Sequence, residues 1–199
     1  SQLPNHVTLV AVSKTKPVAD LMEAYDAGQR IFGENKIQEM TDKWEVMPKD
    51  IEWHMIGHVQ TNKVKYMAPY VSLIHGVDSL KLLQEINKQA AKNNRVIDCL
   101  LQVYIAEEES KFGLDEQELE EVLKLVQNDK ENYKNTRIVG LMGMATFTEN
   151  KNQIEKEFKH LKTIFDKYSK LNTENCQLNT LSMGMSGDYQ LAISCGSTM

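Results

Sequence analysis

An apolar run, VTLVAV over residues 7–12, ends on Ser13 and Lys14, with Lys16 and Pro17 just behind. A lysine at the end of a buried strand is partly desolvated, which disfavours its ammonium form. The neutral amine condenses with an aldehyde or ketone. Such a lysine can equally snorkel to solvent on its aliphatic stem. Period-two alternation puts Val10, Val12 and Lys14 on one face of the strand and Leu9, Ala11 and Ser13 on the other. Three other stretches carry comparable chemistry. FGENKIQEM sets Asn35 just past a second apolar run, and WHMIGHVQTNK puts His54, Ile56 and His58 on one strand face. LSMGMSGD, Leu181 to Asp188, offers hydroxyls and glycines directly before a helix, where backbone N–H groups and the helix dipole can hold a phosphate. Singly, Asn35 can be a turn residue, His54 a satisfied core histidine, and Ser182 or Ser186 an N-cap.

The elements that must position these residues alternate along the whole chain. Short apolar runs occur at Thr8 to Ser13, Arg30 to Gly33, Trp53 to Gly57, Val71 to His75, Val96 to Ile105, Arg137 to Met142 and Thr180 to Met183; these are candidate strands. Helical periodicity lies between them, as in Ile154, Phe158, Leu161, Phe165, Tyr168 and Leu171, and in Leu119, Val122, Leu123 and Val126. Pro17, Asp78 or Ser79, and Asp115 supply helix starts. Strand and helix in alternation imply a parallel sheet, because parallel neighbours need a crossover. A doubly wound sheet would carry a glycine-rich phosphate turn after its first strand, and SKTKP has no glycine. A (β/α)8 barrel instead gathers functional groups at the C-terminal ends of many strands. The expected fold is therefore an α/β, single (β/α)8 TIM-type barrel over residues 1–199. Leu191 to Cys195 reads as its seventh helix and GSTM as the start of an eighth strand, truncated where the sequence stops. Val10, Val12 and Lys14 then face the barrel interior, with Lys14 at the mouth.

Composition narrows the class. A length of 199 residues, 41% of them hydrophobic, suffices for one core. A net charge of -5 opposes nonspecific attraction to nucleic acid or an anionic membrane. The longest apolar runs fall far short of the roughly 20 residues that span a bilayer. Three widely spaced cysteines without a CxxC pair suggest neither a disulfide framework nor a zinc site. We read the chain as cytoplasmic, with reduced thiols.

VAVSKTKP, FGEN with QE behind it, WHMIGHVQTNK, SKFGL, GLMGMAT and LSMGMSGDYQLAI with its GST occur in order from residue 7 to the last residue. In these the chain resembles the pyridoxal phosphate homeostasis protein family. The resemblance implies a barrel similar to the N-terminal domain of alanine racemase, with pyridoxal 5′-phosphate held covalently as a Schiff base on Lys14. It further implies that Asn35 and His54 flank the pyridine ring and its 3-hydroxyl side, and that Ser186 binds phosphate. In the family an arginine that faces the pyridine nitrogen follows GSTM, and that stretch lies beyond this sequence. Ser110, Lys111 and Gly113 are expected at the mouth, where they act as a closing loop or as a mobile charged one. The implied role is that of a monomeric carrier or regulator of the cofactor, not an enzyme, with apo enzymes that use this cofactor as recipients. The alternatives are a small amino-acid racemase or lyase, and an aldolase-like barrel acting on phosphosugars.

Overall fold

Apolar strands without polar alternation need cover on both faces, and helices supply the outer cover. The computed structural model of the chain describes residues 3–107 and 112–199. In chain order the elements are β1 (Ala11–Val12), α1 (Val18–Asp26), β2 (Ile31–Glu34), α2 (Ile37–Val46), β3 (Glu52–Met55), α3 (Val64–Met67), β4 (Leu73–Val77) and α4 (Leu80–Lys92). They continue as β5 (Ile97–Gln102), α5 (Glu116–Asn128), β6 (Thr136–Met142), α6 (Lys151–Tyr168), β7 (Asn172–Thr173), β8 (Cys176–Ser182) and α7 (Tyr189–Ser194). The sheet order is β1-β2-β3-β4-β5-β6-β8-β7, parallel except for β7 against β8. All seven expected strands are present, and β8 is the seventh of the barrel. The antiparallel β7 is new, because Asn172 and Thr173 carry no apolar signal of their own.

The barrel begins to close at its seam. Thr198 donates its N–H to the Leu181 carbonyl and accepts from Thr8 N–H, both at 2.9 Å, so residues 197–199 lie where an eighth strand runs between β8 and β1. The expected seventh helix is α7.

Helix caps follow the sequence signals. Ser79 accepts from Leu82 N–H, and Asp115 forms a capping box with Glu118. Each helix buries one stripe, such as Leu119, Val122, Leu123 and Val126 on α5. These pack on strand residues including Phe32, Trp53, Ile74, Cys99 and Leu141. Full burial of one such large side chain stabilises by about 1.5–3 kcal/mol. A smaller cluster of Leu73, Leu100 and Met142, joined by Val139 and Met199, is separate from that shell. Among the described residues no helix is long and apolar enough to cross a membrane.

Candidate functional site

Register brings the chemistry-bearing strand residues together. Val12, Gly33, His54 and Leu73 pair in one row across β1 to β4. His75 lies two residues past Leu73 on β4 and shares its face, Ile56 packs beside Gly33 just past β3, and Lys14 and Asn35 follow the C-terminal ends of β1 and β2. A Cβ on Gly33 would lie 2.9 Å from Val10 Cγ1 and 3.0 Å from Ile56 Cδ1. Bare backbone at Gly33 therefore makes room for those two inner side chains.

His54 is 3% exposed, and its Nδ1 lies 3.0 Å from His75 Nε2. Nδ1 of His75 lies 3.3 Å from Ser182 Oγ. Strands β4 and β8 are not neighbours, so this chain of contacts crosses the barrel interior. Burial pushes His54 down to about 4. It also holds His75 well below its usual range, with repulsion from His54 adding to the effect. Two neutral imidazoles can share one N–H between Nδ1 and Nε2. The mouth is thus floored by a polar but uncharged chain. His75 escaped the sequence-level site, although its position in HGVD, two residues after Leu73, was the available signal. Ser182, weighed there as an N-cap, belongs to this chain instead.

Lys14 sits at the strand end as expected, but it is exposed rather than partly desolvated. It lies two residues past Val12, which is itself 55% exposed, so no wall encloses it. The turn that carries Lys14 is tied down on its other side. Ser13 hydroxyl donates to Glu34 Oε1 at 2.7 Å. Lys43 of α2 donates to Glu34 Oε1 at 2.5 Å, to Glu39 Oε1 at 2.8 Å and to the Ser13 carbonyl at 2.8 Å. Both Glu34 and Lys43 are buried. Glu39 Oε1 also accepts from Thr15 N–H at 2.6 Å. The Lys43 ammonium, and then the Thr15 amide, hold Glu39 below the usual carboxylate range.

The other expected residues are more scattered. Asn35 is half-buried beside Gly57, where a Cβ would lie 2.5 Å from the Asn35 carbonyl oxygen. Ser186 is exposed in the loop between β8 and α7. It is not an N-cap; Asp188 holds that position, and its Oδ1 accepts from Met185 N–H at 2.6 Å. His58 falls past the end of β3, exposed, with its ring stacked 4.3 Å from that of Phe112 and its Nδ1 3.4 Å from Asp78. Ser110 and Lys111 lie outside the described residues. Gly113 has φ +143°, and a Cβ there would come within 2.6 Å of Tyr104 N, so only glycine fits the turn. Tyr70 is stacked 4.4 Å from Trp44 and hydrogen-bonded to Thr41 at 2.8 Å. Among the described residues no group of acidic, histidine and cysteine side chains could hold a metal.

A parallel barrel with a lysine, an amide, imidazoles and a hydroxyl-bearing loop at one mouth defines a class. The family model described as "Alanine racemase, N-terminal domain" matches residues 1–199. Alanine racemase from E. faecalis shares the fold, with a TM-score of 0.69 at 16% identity over 94% of this chain and 49% of that one. More specific relatives follow. The "Pyridoxal phosphate homeostasis protein" of Aquifex aeolicus is 38% identical over 196 residues, 98% of this chain and 83% of that protein. Its namesake in Escherichia coli K12 is 36% identical over 200 residues, with 98% and 82% covered. PipY of Synechococcus elongatus, solved with PLP bound, aligns with a TM-score of 0.85 at 33% identity, covering 99% of this chain and 90% of that one. The chain belongs to the pyridoxal phosphate homeostasis protein family.

Proposed function

We propose that this chain, as a single domain, binds pyridoxal 5′-phosphate through Lys14 and holds it for cofactor homeostasis without turning over amino acids itself. The observation that carries the proposal is that Lys14 and Asn35 follow the C-terminal ends of the paired strands β1 and β2, with buried His54 opposite Gly33 on the next strand. The cofactor supplies an aldehyde that links covalently to an amine, and a phosphate. The residues present fit both ends. Lys14 is accessible at the mouth, and Ser186 stands exposed beside Gly187, where a Cβ would meet nothing within 4 Å. Asn35 and His54 would flank the ring. His54 and His75, kept neutral by burial, let a polar aromatic ring approach without adding a buried charge. The PLP-bound structure of PipY and the shared name of the curated relatives support the assignment. The protein works in the cytoplasm as a monomer, with apo enzymes that use pyridoxal phosphate as recipients.

The test is direct. Protein mixed with pyridoxal 5′-phosphate is reduced with borohydride and mapped by peptide mass. Lys14 carries the label, and Lys14→Ala carries none. Alanine and serine racemisation, followed by chiral chromatography, shows no multiple turnover. Label on another lysine, or turnover that Lys14→Ala abolishes, would overturn the respective half of the proposal.

A further inference from the structure

On the helix-facing side of the strands, directly behind the lysine turn, lies the cluster of Lys43, Glu34 and Glu39. We propose that this cluster is a positioning device that clamps both flanks of Lys14, fixing where its amine stands for carbonyl capture; the proposal rests on Lys14 as the attachment residue. Burial separates the two sets of groups. Ser13 is buried against Glu34 and Lys43 on the helix side, whereas Lys14 follows it exposed as the first central residue of the turn. A tie to Ser13 can therefore act on Lys14 from behind without entering the mouth.

The ties fall on both sides of the lysine. Before it, Ser13 donates its hydroxyl to Glu34, and its carbonyl accepts from Lys43 Nζ. After it, Thr15 gives its N–H to Glu39. The ammonium of Lys43 has three protons, and Ser13, Glu34 and Glu39 take all three. The cluster is therefore one rigid unit. Its buried carboxylate, Glu34, has Oε1 engaged while Oε2 has no hydrogen-bond partner.

Backbone geometry gives a second, independent sign of clamping. Lys16 N–H closes a turn on the Ser13 carbonyl at 3.2 Å, with Lys14 and Thr15 as its central residues. Thr15 has φ +62°. A turn with positive φ at its third residue is the type that favours glycine or asparagine there, and a β-branched residue in that region is a true outlier. Such a conformation persists only when its surroundings over-determine it. The Glu39 tie to Thr15 N–H is the contact that does so. A glycine would adopt the turn without strain but would leave Lys14 on a looser hinge. Threonine under restraint holds the backbone at Lys14 in one turn conformation.

Glu39→Ala tests the clamp, because it removes the Thr15 anchor while Lys43 still pairs with the buried Glu34. In the protein without cofactor, hydrogen exchange at the Thr15 amide should quicken by at least about 10-fold. Covalent capture of pyridoxal 5′-phosphate, quenched with borohydride and read by mass, should slow by about 10-fold, as expected when a reacting group loses its orientation. Affinity for pyridoxamine 5′-phosphate, which has no carbonyl for the lysine, should change less than about twofold, because ring and phosphate contacts are untouched. Glu39→Gln, which restores an acceptor for Thr15, should recover most of the capture rate. Thr15→Gly, which leaves every buried charge paired, should loosen the turn and slow capture in the same sense. Unchanged Thr15 exchange, or unchanged capture despite faster exchange, would overturn the clamp. An equal loss for both ligands would also overturn it, making the cluster general support for the mouth. Absence of label on Lys14 in the unmodified protein would sink the attachment itself and the clamp with it, an outcome visible before any variant is made.

Discussion

Two buried polar clusters flank the same strand ends and solve burial in opposite ways. On the outer face Lys43 pairs with Glu34 and Glu39, and its Nζ also donates to the Ser13 carbonyl. On the inner face His54, His75 and Ser182 form a chain in which burial holds both imidazoles neutral. A buried charge is tolerable only when it is paired and hydrogen-bonded, whereas an imidazole can discard its proton. The contrast separates support from reception. The ion pair lies behind the lysine turn, and the inside of the barrel carries groups without charge.

Removing one partner of the outer pair should produce the largest effect. Lys43→Met leaves the Glu34 carboxylate buried without its cation and should lower stability by about 3–5 kcal/mol in urea unfolding. Adding Glu34→Gln to that variant should restore most of the loss. A single variant as stable as the parent would mean that the outer cluster is no ion pair in solution.

Acid should strike the inner cluster next. The unfolded His54 imidazole takes up a proton near pH 6.5, while the folded one resists until about 4. The unfolded chain therefore binds the extra proton across that window. Stability is full above pH 6.5 and falls as pH drops toward 4, by roughly 3 kcal/mol from this group. His54→Gln should flatten that acid limb in urea melts at pH 7.5 and 4.5. An unchanged limb would show that the inner pair is not held neutral.

Effects at the mouth itself should be smaller in stability and larger in binding. Ser186→Ala should weaken retention of pyridoxal 5′-phosphate by about 2 kcal/mol, the scale of one hydrogen bond to a charged group. Pyridoxal without phosphate should be indifferent to the change. Lys14→Ala should shift unfolding by no more than about 0.5 kcal/mol, because the side chain is exposed. A large loss of stability there would place Lys14 in the fold rather than at the site.

Much of this was legible in the residues. Alternating apolar runs and helix stripes mark the parallel barrel, because local periodicity is a direct consequence of which faces must leave water. The capping positions of Ser79 and Asp115 are equally local. The place of Lys14 at the end of the first strand follows from the run that precedes it. Its desolvation did not hold, because exposure depends on whether neighbouring loops rise around a strand end, and no residue near Lys14 encodes that. His58 was misplaced for a related reason, since alternation applies only while the strand lasts and β3 stops at Met55.

The sequence by itself determined the alternation of elements, the face on which each strand residue lies and the types of side chain gathered at the mouth. Those depend on neighbours within one or two turns of chain. Only the tertiary structure decided that His75 meets both His54 and Ser182, the latter 107 residues away. It alone joined Lys43, Glu34 and Glu39 behind the Lys14 turn. The physical reason is curvature: barrel closure sets which inward residues touch across the interior and which helix residue reaches the outer face of a strand, and no local pattern carries that distance.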